Sequence, residues 1–176
     1  DVWDTHNSDD EPDAGTLAPY SAVIWFTGDE YDGYAGPGAD GESALKAFLD
    51  GGKCLFISSQ DYHYDRGLTA FMSAYLGAAS VVDDVTQSAV GGQGSVFGEL
   101  GPYSLVYPFA DWSDVITPDG TAELAFGGDQ GGAAVNKDSG VYRSTLWTFP
   151  FEALPGAPKG QWRARRSLAP RQPFEG

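Results

Sequence analysis

Long apolar runs alternate with a helical pattern in the first half of the chain. The runs SAVIWFTG (21–28) and KCLFISS (53–59) are almost continuously apolar, which is typical of strands buried on both faces of a parallel sheet. Between them, ESALKAFLDGG (42–52) has apolar residues at positions i, i+1, i+4 and i+5, which predicts an amphipathic helix ended by Gly51. A second helix is predicted at 68–77, so the order of elements predicts right-handed parallel crossovers.

The second half has a different pattern of short β-branched segments, separated by Gly, Pro, Asp and Asn. These segments predict small strands, several of them antiparallel: SVVDD, DVTQSAV, YSLVYPF, DVITP, TAELAFGG, AAVN and VYRSTLWTF. A strand is also predicted at DVWDT (1–5). We therefore expect an α/β fold with a doubly wound, mainly parallel sheet, helices on both faces, and antiparallel β additions in the second half.

Composition excludes several classes of partner. The chain has 176 residues, of which 25 are acidic and 10 basic, giving a net charge of −15. Such a surface repels nucleic acid and anionic membranes, so we expect no nucleic-acid partner. No apolar run reaches the roughly 18 residues that span a bilayer, which predicts no membrane insertion. A single cysteine excludes internal disulfides and cysteine-based zinc sites.

The charge is unevenly distributed along the chain. Residues 1–158 contain five basic and 24 acidic residues, a net charge of −19, whereas the remainder contains five basic residues against Glu175, a net charge of +4. We therefore divide the chain into a domain at 1–156 and a basic, Pro- and Arg-rich tail at 157–176. The tail is either a basic arm for an acidic partner or a disordered or non-native end, such as a shifted reading frame. The abrupt change in composition favours the second interpretation.

Two segments carry a family resemblance. APYSAVIWFTGD, followed by LKAFLDGGKCLFISSQD, resembles the class I glutamine amidotransferase-like superfamily, which has a flavodoxin-like α/β fold, and in particular its non-glutaminase members. The resemblance covers about residues 16–77. Together with the ending AELAFGGDQGGAAVNKDSGVYRSTLWTFPFEAL, it implies a domain of a large, secreted, multidomain bacterial protein, and hence an extracellular location with other domains of the parent protein as neighbours.

The resemblance also locates a functional corner at the end of the second strand. Catalytic amidotransferases carry a Gly-x-Cys-x-Gly turn there, with a strained nucleophile, whereas this chain has FISSQDY. Cys54 lies about four residues too early and is expected to pack in the core, so glutaminase activity is not expected. A serine-based site would use Ser59 and His63, with Asp61 or Asp65 as the carboxylate.

Polar and aromatic side chains follow both predicted parallel strands, whose carboxyl ends line one crevice. Asp29 and Asp61 end neighbouring strands, and their oxygen ligands would suit Ca²⁺ or Mg²⁺. Tyrosines interleaved with acids are also typical of sugar-binding clefts, which would make a glycan or another small molecule the ligand. The predicted ligand-contacting residues are Asp29, Tyr31, Gln60, Tyr62, Asp65 and Arg66.

Two functional hypotheses follow from these residues. The first is an accessory or ligand-binding domain that keeps the fold without a nucleophile. The alternative is a hydrolase that cleaves an ester, lactone or glycosidic bond through Ser59, or through Asp29 and Asp61 in the paired-carboxylate manner of glycosidases. Exposed sheet edges would in addition allow an oligomer to form.

Overall fold

A computed structural model describes residues 1–7 and 9–156 of the chain. The predicted tail lies outside the described residues. The strands, numbered in chain order, are β1 (Ala22–Phe26), β2 (Cys54–Ser58), β3 (Ala78–Val82), β4 (Ala89–Gly92), β5 (Tyr103–Ser104), β6 (Val115–Pro118), β7 (Glu123–Gly128), β8 (Gly132–Asp138) and β9 (Arg143–Trp147). The α-helices are α1 (Ala14–Leu17), α2 (Ala39–Asp50), α3 (Tyr62–Arg66) and α4 (Gly94–Phe97), with a π-helix at Met72–Leu76 and a 3₁₀ turn at Phe151–Ala153.

The predicted parallel crossover is confirmed at the start of the domain. β1 and β2 are parallel, with Ile24 opposite Phe56, and α2 connects them. Asp40 and Glu42 lie in the first turn of α2, where negative charge is favoured by the helix dipole. The backbone N–H groups of Gly38 and Gly41 donate to the Glu11 carboxylate at 2.5 and 2.8 Å, which satisfies two of the helix's free donors.

The expectation of a doubly wound, mainly parallel sheet is wrong, and the fold is mixed α/β. One seven-stranded sheet has the order β1-β2-β9-β8-β7-β4-β5, and β3 pairs with β6 in a second, two-stranded sheet. In the larger sheet the neighbouring pairs β1–β2 and β2–β9 are parallel, and the other four neighbouring pairs are antiparallel. The physical reason is that short turns join β7 to β8 and β8 to β9, and such turns can connect only antiparallel neighbours.

The predicted helices on both faces of the sheet are found only in part within the described residues, because the second face has only the four-residue helix α4. One face packs against α2 and the π-helix, which contribute Leu45, Phe48, Leu49, Met72 and Leu76 to a buried cluster. The other face carries α4, which packs over β7. There a second cluster forms around Phe126, Trp147 and Phe149, with Phe97 of α4 packed against it.

Two local predictions fail near the ends of their elements. Residues 1–5 form no strand; instead Asp4 accepts the Asn7 backbone N–H at 3.1 Å, and such side-chain bonds compete with strand pairing. The predicted helix at 68–77 becomes mainly the π-helix, which ends at Gly77 with φ of 78°. A Cβ at Gly77 would lie 2.4 Å from the Cβ of Ala122, so the chain can turn there only with glycine. Within the described ranges, no helix is long and apolar enough to cross a membrane.

Candidate functional site

The two serines at the end of β2 are buried and fully hydrogen-bonded. Ser58 Oγ donates to the Phe149 carbonyl at 3.1 Å and accepts the Phe151 N–H at 2.9 Å. Ser59 Oγ donates to the Ala35 carbonyl at 2.5 Å and accepts the Asp61 N–H at 3.3 Å. Each serine is 1% exposed, so both hydroxyls join backbone segments that meet at this corner.

The structure does not bring Ser59, His63 and Asp61 together as a catalytic triad. His63 Nδ1 lies 2.6 Å from Asp83 Oδ1, and no hydrogen bond joins His63 to Ser59 in the part of the chain that the structure describes. The described non-glycine residues with positive φ are Asp32, Asp84 and Thr86, so Ser59 lacks the strained turn of a nucleophile elbow. The role of these three residues in catalysis stays a prediction without geometric support.

Gln60 faces the protein interior. Its Nε2 donates to the Ala110 carbonyl and its Oε1 accepts the Trp112 N–H, each at 3.1 Å. The residue is 1% exposed. Gln60 therefore fastens the loop around 110–112 over the carboxyl end of β2, and this loop closes the crevice in which a ligand was expected.

Tyr62, the first residue of α3, also packs at the carboxyl end of β2. Its ring is buried, and its hydroxyl donates to Glu42 Oε1 at 2.8 Å. Burial, followed by the nearby Glu42 carboxylate, raises the pKa of Tyr62 above its ordinary value. Arg66, also predicted to contact a ligand, has its Nε 3.9 Å from Glu42 Oε1. Tyr62 is thus a packing residue in this structure.

Asp65 holds the loop that follows β1. Its carboxylate accepts the backbone N–H groups of Asp32, Gly33 and Ala35 at 3.2, 2.7 and 3.2 Å. Asp32 and Gly33 have φ of 59° and 91°, and successive amides in such a turn form a concave anion site. Here the chain's own carboxylate occupies that site, so Asp65 positions the loop that bears Tyr31.

Several carboxylates are concentrated at the corner. Burial, reinforced by the charge of Asp84, raises the pKa of Asp61 to about 6. Burial also raises the pKa of Asp114 to about 9, although its Oδ1 accepts the Asp84 N–H at 3.1 Å. Sequence reasoning missed Asp114 and the pair Asp83–Asp84. Asp114 is the first residue of the predicted strand DVITP, and that position gives no sign of burial.

The predicted metal residues Asp29 and Asp61 receive no support from the geometry. Among the residues at 1–7 and 9–156, no group of three or more His, Cys, Asp or Glu side chains is arranged to hold a metal ion. Asp61 is 7% exposed, whereas Asp29 is exposed on the loop after β1. A calcium site at these two residues stays a prediction.

Exposed aromatic side chains lie on the loop after β1. Tyr31 is 67% exposed and Tyr34 is 44% exposed. The His6 ring stacks on Tyr34 with 4.0 Å between ring centroids, and His6 Nδ1 lies 2.7 Å from Glu30 Oε2. Of the predicted ligand-contacting residues, Tyr31 is therefore one that the structure leaves open to solvent, on a loop that Asp65 fixes.

No protein-family model matches the chain, and a comparison with curated proteins gives no match. Solved structures with a similar fold include Gan42B, a GH42 β-galactosidase from G. stearothermophilus, with TM-score 0.53 and 15% identity over 74% of this chain and 19% of that one. The exo-β-1,4-mannosidase Op5Man5 from Opitutaceae bacterium strain TAV5 gives 0.54 and 19% over 88% and 24%. The cytoplasmic protein STM3548 from Salmonella typhimurium gives 0.56 and 9% over 89% and 70%.

These likenesses concern the fold alone, because the sequence identities are low. The chain spans about a fifth of the length of the β-galactosidase that it matches and about a quarter of the mannosidase. A fold of this kind is therefore present as one part of longer chains.

Proposed function

We propose that this chain is a non-catalytic accessory domain of a larger secreted bacterial protein, with an amidotransferase-like α/β fold that has lost its nucleophile. The observation that carries the proposal is the closed corner after β2. Where catalytic relatives keep a nucleophile, Ser59 is buried and both donates and accepts backbone hydrogen bonds. A hydroxyl used in this way is not available to attack a substrate.

Two further observations support an accessory role. The glycoside hydrolases with a similar fold are four to five times longer than the part that matches, so the fold occurs there as one domain among others. Their catalytic activities belong to those whole proteins. The net charge of −15 suits a soluble domain in a salty or extracellular setting.

The surface best suited to a ligand is the loop after β1, with its exposed Tyr31 and Tyr34. Aromatic rings beside planar acids suit sugars, because a ring face packs on the apolar face of a pyranose while carboxylates accept its hydroxyls. Asp65 fixes this loop through three backbone bonds, which lowers the entropy lost on binding. A glycan is therefore the ligand class that we propose for this loop.

We expect Ser59→Ala to affect stability and not turnover. The substitution leaves the Ala35 carbonyl and the Asp61 N–H without their partner, which should lower the free energy of unfolding by about 1–2 kcal/mol. Wild type and variant should both fail to turn over chromogenic esters and glycosides above the buffer rate. Ser104→Ala, at an exposed position of β5, is the matched control and should stay within about 0.5 kcal/mol of wild type. Turnover by wild type that Ser59→Ala abolishes would establish the hydrolase instead.

We expect Tyr31→Ala to weaken glycan binding without changing stability. Calorimetric titration with a panel of soluble oligosaccharides, with and without Ca²⁺, measures the affinity directly. Loss of an exposed stacking ring should cost about 1 kcal/mol of binding free energy, or roughly fivefold in Kd. Val96→Ala, on the exposed side of α4, should bind like wild type. If no oligosaccharide in the panel binds, the glycan is removed from the proposal. The burial of Ser59 after β2 and the expected lack of turnover do not depend on that result.

A further inference from the structure

Two buried side-chain oxygens near the carboxyl end of β1 have no hydrogen-bond partner among the described residues. They are Thr27 Oγ1 and Glu152 Oε2, and each residue is 8% exposed. Ser58 joins the two segments that carry them, because its carbonyl accepts the Thr27 N–H at 3.3 Å and its Oγ accepts the Phe151 N–H at 2.9 Å. Buried polar groups are nearly always paired in folded proteins, so these oxygens indicate a ligand that the chain itself does not supply.

Glu152 has the greater need of a partner, because it is a carboxyl group. Within residues 1–7 and 9–156 no basic side chain forms an ion pair with it. Burial, followed by the charge of Asp29, raises the pKa of Glu152 above its ordinary value. A buried charge without a partner is costly, so this carboxyl group either keeps a proton or meets a cation.

The carboxylate of Glu152 lies against Gly28, and there is room for a small ligand between them. Gly28 has φ of 63°, and a Cβ built on it would lie 3.8 Å from Glu152 Oε1 and 4.0 Å from Phe109 Cε1. Outside the adjoining residues, no other described heavy atom lies within 4 Å of that position. An atom about the size of a methyl group therefore fits between the glycine, the carboxylate and the ring.

A metal cation suits this position better than an organic ligand. Thr27 Oγ1 and Glu152 Oε2 are both buried, so their partner has to be small enough to be enclosed by the protein. Carboxylate and hydroxyl oxygens are ligands that calcium prefers, and calcium accepts irregular sets of about six to eight oxygens that include backbone carbonyls and water. Asp29, exposed on the loop after β1, adds a second negative charge beside Glu152.

We propose that a calcium ion binds at the carboxyl end of β1 against Gly28, with Glu152 and Asp29 as its charged ligands and Thr27 Oγ1 as a neutral one. In this site Glu152 takes the place of Asp61, which the sequence had paired with Asp29. Its two carboxylates are fewer than the groups of three that the described residues lack. The site goes beyond the proposed glycan-binding function and does not depend on it, since the ion is measured without any oligosaccharide.

Calorimetric titration of the calcium-free protein with CaCl₂, at constant ionic strength, tests the site. We expect a Kd on the order of 1 mM in wild type, and about a tenfold higher Kd in Glu152→Gln, because the amide carries no charge. Glu99→Gln is the matched control, since it makes the same substitution at an exposed position, and it should bind like wild type. Mg²⁺ should bind wild type more weakly, because it demands octahedral geometry and loses water reluctantly.

Asp29→Asn keeps the test decisive if Glu152→Gln folds poorly. Because Asp29 is exposed, this variant should fold, and we expect its Kd for calcium to rise about threefold. The proposal is overturned if wild type binds no calcium, or if Ca²⁺ and Mg²⁺ act equally on wild type and every variant, because the ions then only screen surface charge. It is also overturned if Asp61→Asn weakens binding and Glu152→Gln does not, which would place the ion at Asp29 and Asp61.

Discussion

Asp114→Asn should stabilise the protein at neutral pH, and the gain should increase as the pH rises towards 9. Burial raises the pKa of Asp114 from an ordinary value of 3.8 to about 9 in the folded chain. Between these two values the folded state binds a proton that the unfolded state has released, so raising the pH destabilises the fold. Asparagine stays neutral at every pH and keeps the oxygen that accepts the Asp84 N–H at 3.1 Å.

The expected gain at pH 7 is on the order of 2 kcal/mol in the free energy of unfolding. Urea denaturation of wild type and variant at pH 5, 7 and 8.5 measures it, provided that the m-values agree. The difference should be small at pH 5 and largest at pH 8.5. A difference that is constant with pH would show that Asp114 does not titrate in this range, and a loss of stability would show that its charge has a partner in the fold.

Asp129→Asn is the matched control, because its linkage has the opposite sign. Its carboxylate accepts the Ser88 hydroxyl at 2.7 Å and the Ser88 N–H at 2.8 Å. These bonds lower the pKa of Asp129 to about 2, below its unfolded value, so the charged form stabilises the fold at neutral pH and the contribution is lost as the pH falls towards 2. The control variant should therefore be less stable than wild type at pH 7.

The parts of the fold that the sequence predicts are those with a local cause. β1, α2 and β2 follow from two apolar runs and one amphipathic period within 38 consecutive residues, 21–58, and their order alone implies a parallel crossover. The place of β9 beside β2 depends on the hairpins that β7, β8 and β9 form. Short apolar segments do not specify which neighbour they pair with, so the predicted doubly wound sheet was wrong.

The position of the candidate site was predictable, but its closure was not. Ser, Gln, Asp and Tyr after a buried strand are typical of a polar loop that faces solvent. Here Ser58 bonds to Phe149, 91 residues on, and Gln60 bonds to Ala110, 50 residues on. Burial of polar groups depends on such partners, and a single sequence does not show them.

Gly36→Ala should destabilise the protein strongly, because Gly36 leaves no room for a side chain beside Tyr62. A Cβ at this position would lie 2.1 Å from Tyr62 Cδ2 and 2.5 Å from its Cγ. The ring cannot move aside easily, since it is 2% exposed and its hydroxyl donates to Glu42. We expect a loss of about 2–3 kcal/mol in the free energy of unfolding, measured by urea denaturation. Gly120→Ala, where no atom lies within 4 Å of the added Cβ, should change stability by less than about 0.5 kcal/mol.

A double-mutant cycle with Tyr62→Ala shows whether this one contact is the cause. Tyr62→Ala alone should cost about 3–4 kcal/mol through the cavity that it leaves. In the double variant the alanine at 36 no longer meets the ring, so the combined loss should be smaller than the sum by about 2 kcal/mol. The closed corner requires this coupling, because Ala35, next to Gly36, accepts the Ser59 hydroxyl and donates its N–H to Asp65. Additive losses would mean that the loop after β1 does not rest on Tyr62, and that the crevice beside Ser59 opens in solution.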